Sequence, residues 1–266
     1  MNASLETELQ PLVLRDSAQG VATLTLNRGD RFNQLSSAMI SALDTSFQAL
    51  AQDPEVRVVV IAGAGRAFCA GHDLTEMRAY VDHDWQRELF DSCTAMLMKL
   101  IRLPQPVIAR VHGAAAAAGC QLVSMCDLAV AADTAKFGLS GINAGIFCTT
   151  PGVGVGRNVS RKRAMEMLLT GEMIDANTAL AWGLVNRVVP MAQLDSAVHA
   201  LAANIAAKSP AAVAMGKQAF YAQIERDLPD AYSLAGESMA CNMMDADATE
   251  GIDAFLGKRT PKWRTP

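Results

Sequence analysis

Residues 56–63, VRVVVIAG, form an almost unbroken apolar run. The run is too short for a packed helix and is dominated by valine, so it reads as a strand. It shows no polar alternation, which means that both of its faces must be covered. Two further runs, PVIARV (106–111) and LAVAAD (128–133), repeat the pattern. Helical segments separate them, one around 85–102 and one over AAGCQLVSMC (117–126). Strands buried on both faces and joined by helices predict an α/β fold.

Ahead of these, PLVLRD and VATLTLN are β-patterned runs joined by the turn SAQG, which reads as a hairpin. Ser36 or Ser37 offers an N-cap to the next helix, in which Met39, Ile40, Leu43, Phe47 and Leu50 fall at helical spacing. From about residue 160 the texture becomes helical, with only LVNRVVP reading as a strand and Gly183 and Pro190 as punctuation. Most of the 14 methionines lie in or near helices, as core or as a helical subunit interface. The final GIDAFLGKRTPKWRTP is a helix end followed by a basic tail broken by proline. It reads either as a frayed terminus or as a cationic hook for a phosphate.

The chain has 266 residues, 51% of them hydrophobic, which suffices for a large core. Its net charge of −4 supplies no field for nucleic acid or an anionic membrane surface, so an anionic ligand must be held by local groups. No apolar stretch reaches the roughly 18 residues of a membrane span. The N-terminal MNASLETELQPLVLRD has neither a basic nor an apolar leader region, so a soluble, cytoplasmic protein is expected. The six cysteines form no CxxC pair and read as buried, reduced thiols, with no metal site.

Two strand-to-helix junctions carry the chemistry: GRAFCAGHDL (65–74) and HGAAAAAGCQL (112–122). Each places small residues directly after a buried strand. Backbone N–H groups at the start of a helix lack partners and carry the positive end of its dipole. Two such groups converging on one point would form an anion site or an oxyanion hole.

With these junctions, the blocks TLTLNRGDRFNQLSSAM, VRVVVIAGAGRAFCAGHDL, PVIARVHGAAAAAGCQLVSMCDLAVAADTAKFGLSGINAGI, LLTGEMIDANTALAWGLVNRVV and GIDAFLGKRTPKW resemble the enoyl-CoA hydratase/isomerase (crotonase) superfamily, in the family's order from about residue 12 onward. The resemblance implies an α/β spiral of ββα repeats over 8–200 and a C-terminal helical trimerisation region over 201–266. It further implies homotrimers or hexamers and a CoA thioester as substrate, with no separate cofactor. The thioester oxygen would sit between the N–H groups of His72 and Ala118. The sequence reads AAG where the family commonly has three glycines. If Ala118 has positive φ the change costs about 1–2 kcal/mol, and if it is helical it costs nothing.

Hydratases of the family use two glutamates. This chain has Gln121 at the first position and Gly141 at the second. An amide can orient a water but is no base near neutral pH. The segment GIFCTTPGVGVG is also longer than the common pattern, and with AAGCQL it resembles the enoyl-CoA hydratase domain-containing branch, which lacks the catalytic acids. The family pattern places Arg28, Arg31, Lys258 and Arg259 near CoA, and threads pantetheine and adenine past Ala70, Gly71, His72, Asp73 and Leu74.

The His72 imidazole is expected to titrate near neutral pH, and either points to substrate or caps its loop. Asp73 and Asp127 read as loop and helix-end hydrogen-bonders. Cys148, Thr149 and Thr150 lie beside the pocket on the longer segment, Cys120 packs inward, and His83, His112 and His199 are structural or exposed. Three functional readings follow: nominal hydration of 2-enoyl-CoA, another CoA-thioester reaction such as decarboxylation, and acyl-CoA binding without turnover.

Overall fold

The computed structural model describes residues 10–264. The expected first residues of the core, 8 and 9, lie outside the described residues. Strands β1 (Val13–Ala18) and β2 (Val21–Leu26) pair antiparallel around the two-residue turn Gln19-Gly20. Helix α1 (Ser37–Ala51) follows, with Ser36 Oγ accepting the Met39 N–H at 3.2 Å. All five apolar residues expected on its inner face are buried. Next come β3 (Val58–Gly63), β4 (Ala67–Cys69), α2 (Leu74–Ala79) and α3 (His83–Arg102). The next repeat holds β5 (Val107–Val111), β6 (Ala114–Ala116) and α4 (Ala118–Met125), then β7 (Leu128–Ala132) and β8 (Lys136–Gly138). The remainder is α5 (Thr149–Asn158), α6 (Arg161–Thr170), β9 (Ile174–Asp175), α7 (Ala176–Trp182), β10 (Arg187–Val189), α8 (Leu194–Ala206), α9 (Pro210–Gln223), α10 (Leu228–Met243) and α11 (Ala246–Leu256).

From β3 to β8 longer and three-residue strands alternate along the chain and sort into two sheets. The larger sheet is β1-β2-β3-β5-β7-β10, parallel from β2 onward. The smaller is β4-β6-β8-β9. Each repeat thus lays one strand in each sheet before its helix, which is the spiral of ββα units. The three-residue strands β4, β6 and β8 are not visible as sequence patterns, because so short a run has no measurable period and gains its order from the strand beside it.

The valine run has no alternation because both faces of the large sheet are covered. Val59 and Ile61 face the main core with α1 and α3. Val58, Val60, Ile108 and Val130 face the other way, onto Leu194, Val198 and Ala202 of α8. The expected division at residue 200 falls within α8.

Helix α9 is pinned to the core by a buried polar cluster. Lys217 Nζ donates to the Leu100 and Gln105 carbonyls at 2.7 and 2.9 Å and pairs with Asp127 at 2.7 Å. Asp127 also accepts the Tyr221 hydroxyl at 2.9 Å and the Val107 N–H at 2.7 Å, the structural role expected of it. Burial lowers the Lys217 pKa, against the pull of Asp127. Over its described part, to residue 264, the tail is held rather than frayed: Arg259 makes a two-pronged pair with Glu250, and the Trp263 indole donates to Ala207 O at 2.8 Å. Five cysteines are buried, but Cys241 is exposed on α10, which corrects the expectation of buried thiols throughout. Met39, Met96 and Met167 are core residues, whereas Met239 and Met244 stand exposed with Leu228, Tyr232, Phe255 and Leu256 on α10 and α11 or at their ends. Among the described residues no helix is long and apolar enough to cross a membrane.

Candidate functional site

β4 and β6 run parallel, with Cys69 beside Ala115, so the two small-residue junctions leave the small sheet side by side. The first turn of α4 then lies directly on the end of β4: a Cβ on Gly119 would come within 2.1 Å of the Cys69 carbonyl oxygen. Only a glycine permits that approach.

The turn into α4 is made at Ala117, with φ +49° and ψ −119°. Ala118 is already the first helical residue. The strain that the alanine-rich sequence raises therefore falls on Ala117, not on Ala118, and is of order 1–3 kcal/mol. The Ala117 N–H donates to Gly138 O at 2.8 Å, which holds the strained peptide.

Gly71 faces this turn from the other junction with φ +93°. A Cβ there would lie 3.0 Å from Ala117 Cβ and 3.2 Å from Ala118 N. The loop around Gly71 is fixed from behind. The Leu35 N–H donates to Gly71 O at 2.8 Å, and Asp73 Oδ1 caps α2 by accepting the Thr75 N–H at 2.9 Å. Asn33, wholly buried, donates through Nδ2 to the carbonyls of Ala64, Ala67 and Phe68 at 2.8, 2.9 and 3.1 Å and locks the approach to β4. Sequence reasoning missed this role, although Asn33 stands in the quoted RFNQL. Between these anchors the backbone N–H groups of His72 and Ala118 have no acceptor among the described residues.

A cavity of about 430 Å³ opens over them, walled by Ala70, His72, Ala117 and Ala118 on one side and by Gly141 and Cys148 on the other. Leu74, Met77 and Phe90 add apolar surface, and Met77 and Phe90 are walls that no sequence pattern marked. Burial drags the His72 imidazole from 6.5 to about 4, with Glu76 pulling weakly the other way. This corrects the expectation of titration near neutral pH: the ring is neutral there because desolvation disfavours its charged form. Its edge meets Phe90 at a centroid distance of 5.4 Å, and Nε2 is buried without a hydrogen-bond partner. Asp73 caps α2, and the imidazole Nε2 bonds to no group of the loop.

Gln121 sits one turn beyond Ala118 on the same face of α4 and is 6% exposed. Its Oε1 is buried without a partner. Gly141 lies in a short 3-10 helix, Ser140–Ala144, and the longer segment folds back on it: the Ile146 N–H donates to Gly141 O at 3.0 Å. Burial raises the Cys148 thiol, and pushes the inward-packed Cys120 up to about 12. Thr149 and Thr150 begin α5 at the cavity wall.

The basic residues expected near CoA are not brought to this cavity. The Arg28 guanidinium donates to Asn27 O at 3.0 Å and to Gln10 O at 3.4 Å, while Arg31 and Lys258 are exposed and line none of it. His83 and His199 are exposed, and His112 is buried with Nε2 at 2.9 Å from Gly65 O.

The sequence profile of the enoyl-CoA hydratase/isomerase family matches residues 16–266. The chain is 43% identical over 263 residues to the mitochondrial enoyl-CoA hydratase domain-containing protein 3 of Xenopus laevis, covering 99% of this chain and 90% of that one. An enoyl-CoA hydratase structure from Mycobacterium smegmatis superposes with a TM-score of 0.94 at 57% identity, covering 96% and 99%. Human enoyl-CoA hydratase domain-containing protein 3 superposes at 0.92 with 41% identity, covering 95% and 100%. The vertebrate relatives are named as mitochondrial, which overturns the cytoplasmic expectation. The composition of a folded core carries no address, since compartments are read from targeting segments.

Proposed function

The chain belongs to the enoyl-CoA hydratase/isomerase family, and from that premise we propose that it is a CoA-thioester enzyme whose site is the cavity over His72 and Ala118. The thioester carbonyl oxygen accepts from both backbone N–H groups. The observation that carries this reading is that two donors without protein acceptors belong to residues lining one largely apolar cavity, on backbones that approach each other at Gly71 and Ala118. One such donor is worth roughly 2.7–4 kcal/mol when negative charge develops on the oxygen.

Proton transfer is the weak part of this site. The Gln121 amide is no base, Gly141 has no side chain, and His72 with a pKa of about 4 is a poor base at neutral pH. Each missing acid–base group costs ~10²–10⁴ in rate. Hydration of crotonyl-CoA, followed by loss of the conjugated thioester absorbance, is expected to run far below the ordinary enzyme rate of about 10 s⁻¹. A rate at that level would overturn the reading.

A second reading draws support from the cavity wall, which holds no side chain charged at neutral pH. A malonyl-type carboxylate held there lacks a partner and a full water shell. Loss of CO₂ leaves its electron pair as the enolate between the two N–H groups, with no base needed. Release of CO₂ from malonyl-type thioesters tests this, and thioester binding without any turnover would leave a binder. Arg31 and Lys258 remain the proposed partners of the CoA phosphates. The exposed apolar residues of α10 and α11 support a homotrimer or a hexamer, which sedimentation would measure.

A further inference from the structure

We propose that the His72 imidazole, and not only the backbone of that residue, is a positioning group: its Nδ1 pairs with a hydroxyl on the acyl chain of the thioester. The inference rests on the proposed function, in which the His72 backbone N–H binds the thioester oxygen. A side chain on that same residue would meet a hydroxyl carried close to the thioester.

The two ring nitrogens stand in different surroundings. Nε2 is enclosed and has no partner. Nδ1 is neither enclosed nor hydrogen-bonded among the described residues, so it is the polar atom of the part-buried ring that a ligand reaches. His72 lines the cavity of about 430 Å³, and its ring is set edge to face against Phe90, which lines the same cavity. The neighbouring carboxylate is engaged elsewhere: Glu76 Oε2 accepts the Ser37 N–H at 2.9 Å. Packing thus fixes the ring and leaves Nδ1 open.

The properties of that atom select the ligand. Desolvation keeps the ring neutral, so it offers no charge to an anion. A neutral ring nitrogen donates when protonated and accepts when bare, and a hydroxyl answers either form. A saturated alkyl chain answers neither. Leu74, Met77, Phe90, Ile146 and Phe147 make much of the surrounding wall apolar, where a hydroxyl without a partner would be costly to bury. Ser140, Thr149 and Thr150 also line the cavity, but His72 alone among these carries its polar side chain on the residue whose N–H takes the thioester oxygen.

The test is calorimetric titration of the full chain with butyryl-CoA and with each enantiomer of 3-hydroxybutyryl-CoA. One enantiomer is expected to bind about three- to tenfold more tightly than butyryl-CoA. The ratio of the two affinities reads the side chain, because both thioesters share the backbone donors. His72→Phe is expected to bring the ratio to one or below. His72→Asn, whose amide falls near the Nδ1 position, should preserve most of it, whereas His72→Gln, whose amide reaches toward the enclosed Nε2, should lose it. In the unaltered protein, the His72 Nδ1 nitrogen resonance is expected to move with the favoured enantiomer well beyond any shift with butyryl-CoA. A ratio of one or below in the unaltered protein, a ratio unchanged in His72→Phe, or an Nδ1 resonance that responds alike to both thioesters would each overturn the inference. Butyryl-CoA binding in those cases leaves the proposed site standing, whereas binding of neither thioester would overturn both.

Discussion

Gly141 is packed against Cys148 so closely that a Cβ on the glycine would stand 2.7 Å from Sγ, and 2.6 Å from the Ile146 carbonyl oxygen. The space where the family resemblance puts a carboxylate is thus filled by the chain's own longer segment. Gly141→Glu is expected to destabilise the protein by about 1–3 kcal/mol through overpacking and to leave crotonyl-CoA hydration unrestored. Urea unfolding and the hydration assay read both effects. A variant of undiminished stability would show that the segment yields easily.

Ala117→Gly should stabilise the fold. It relieves a positive-φ strain of order 1–3 kcal/mol, offset by the 0.4–1 kcal/mol that a glycine adds to the entropy of the unfolded chain. A net gain of about 1 kcal/mol in urea unfolding is expected. A loss would mean that the Ala117 methyl, packed on the Gly71 loop, outweighs the strain.

His72 makes stability depend on pH in a defined window. Its folded pKa, about 4, lies below the ordinary 6.5, so between those values the unfolded chain binds the extra proton. Stability therefore rises with pH through this window and is lost as pH falls from 6.5 toward 4, by up to about 3 kcal/mol. His72→Gln should flatten that slope. An imidazole resonance titrating near 6.5 in the folded protein would refute the assignment.

Lys217 and Asp127 form a partly desolvated pair at 2.7 Å with side-chain exposures of 6% and 16%. Lys217→Met leaves the carboxylate without its cation and strips donors from two carbonyls, at an expected cost of about 3–5 kcal/mol. Adding Asp127→Asn should recover part of that loss, so the double variant is more stable than the two single losses predict. Strict additivity in the cycle would show that the groups are not coupled.

Much of the architecture was legible. The valine run had to be a strand covered on both faces, because so short a stretch has no other arrangement that hides the five consecutive apolar side chains of Val58 to Ala62. One of the two serines before AMISAL, Ser36 or Ser37, had to cap a helix, and the glycines and alanines around residues 71 and 118 had to mark a close approach of backbones; the structure gives the cap to Ser36. Family membership followed from the order of these blocks. The short strands were not legible, since three alanines have no period and Ala114–Ala116 becomes a strand only because β4 and β8 flank it.

What the sequence determined by itself is local: which segments bury apolar faces, where helices begin, and that no carboxylate stands at positions 121 and 141. What only the tertiary structure decided depends on neighbours distant in the chain. Packing moved the strained φ to Ala117, the fold of residues 145–148 closed the space at Gly141, and burial beside Phe90 kept His72 neutral. Each of these is set by desolvation or steric contact between separate elements, and neither quantity exists until the elements are packed together.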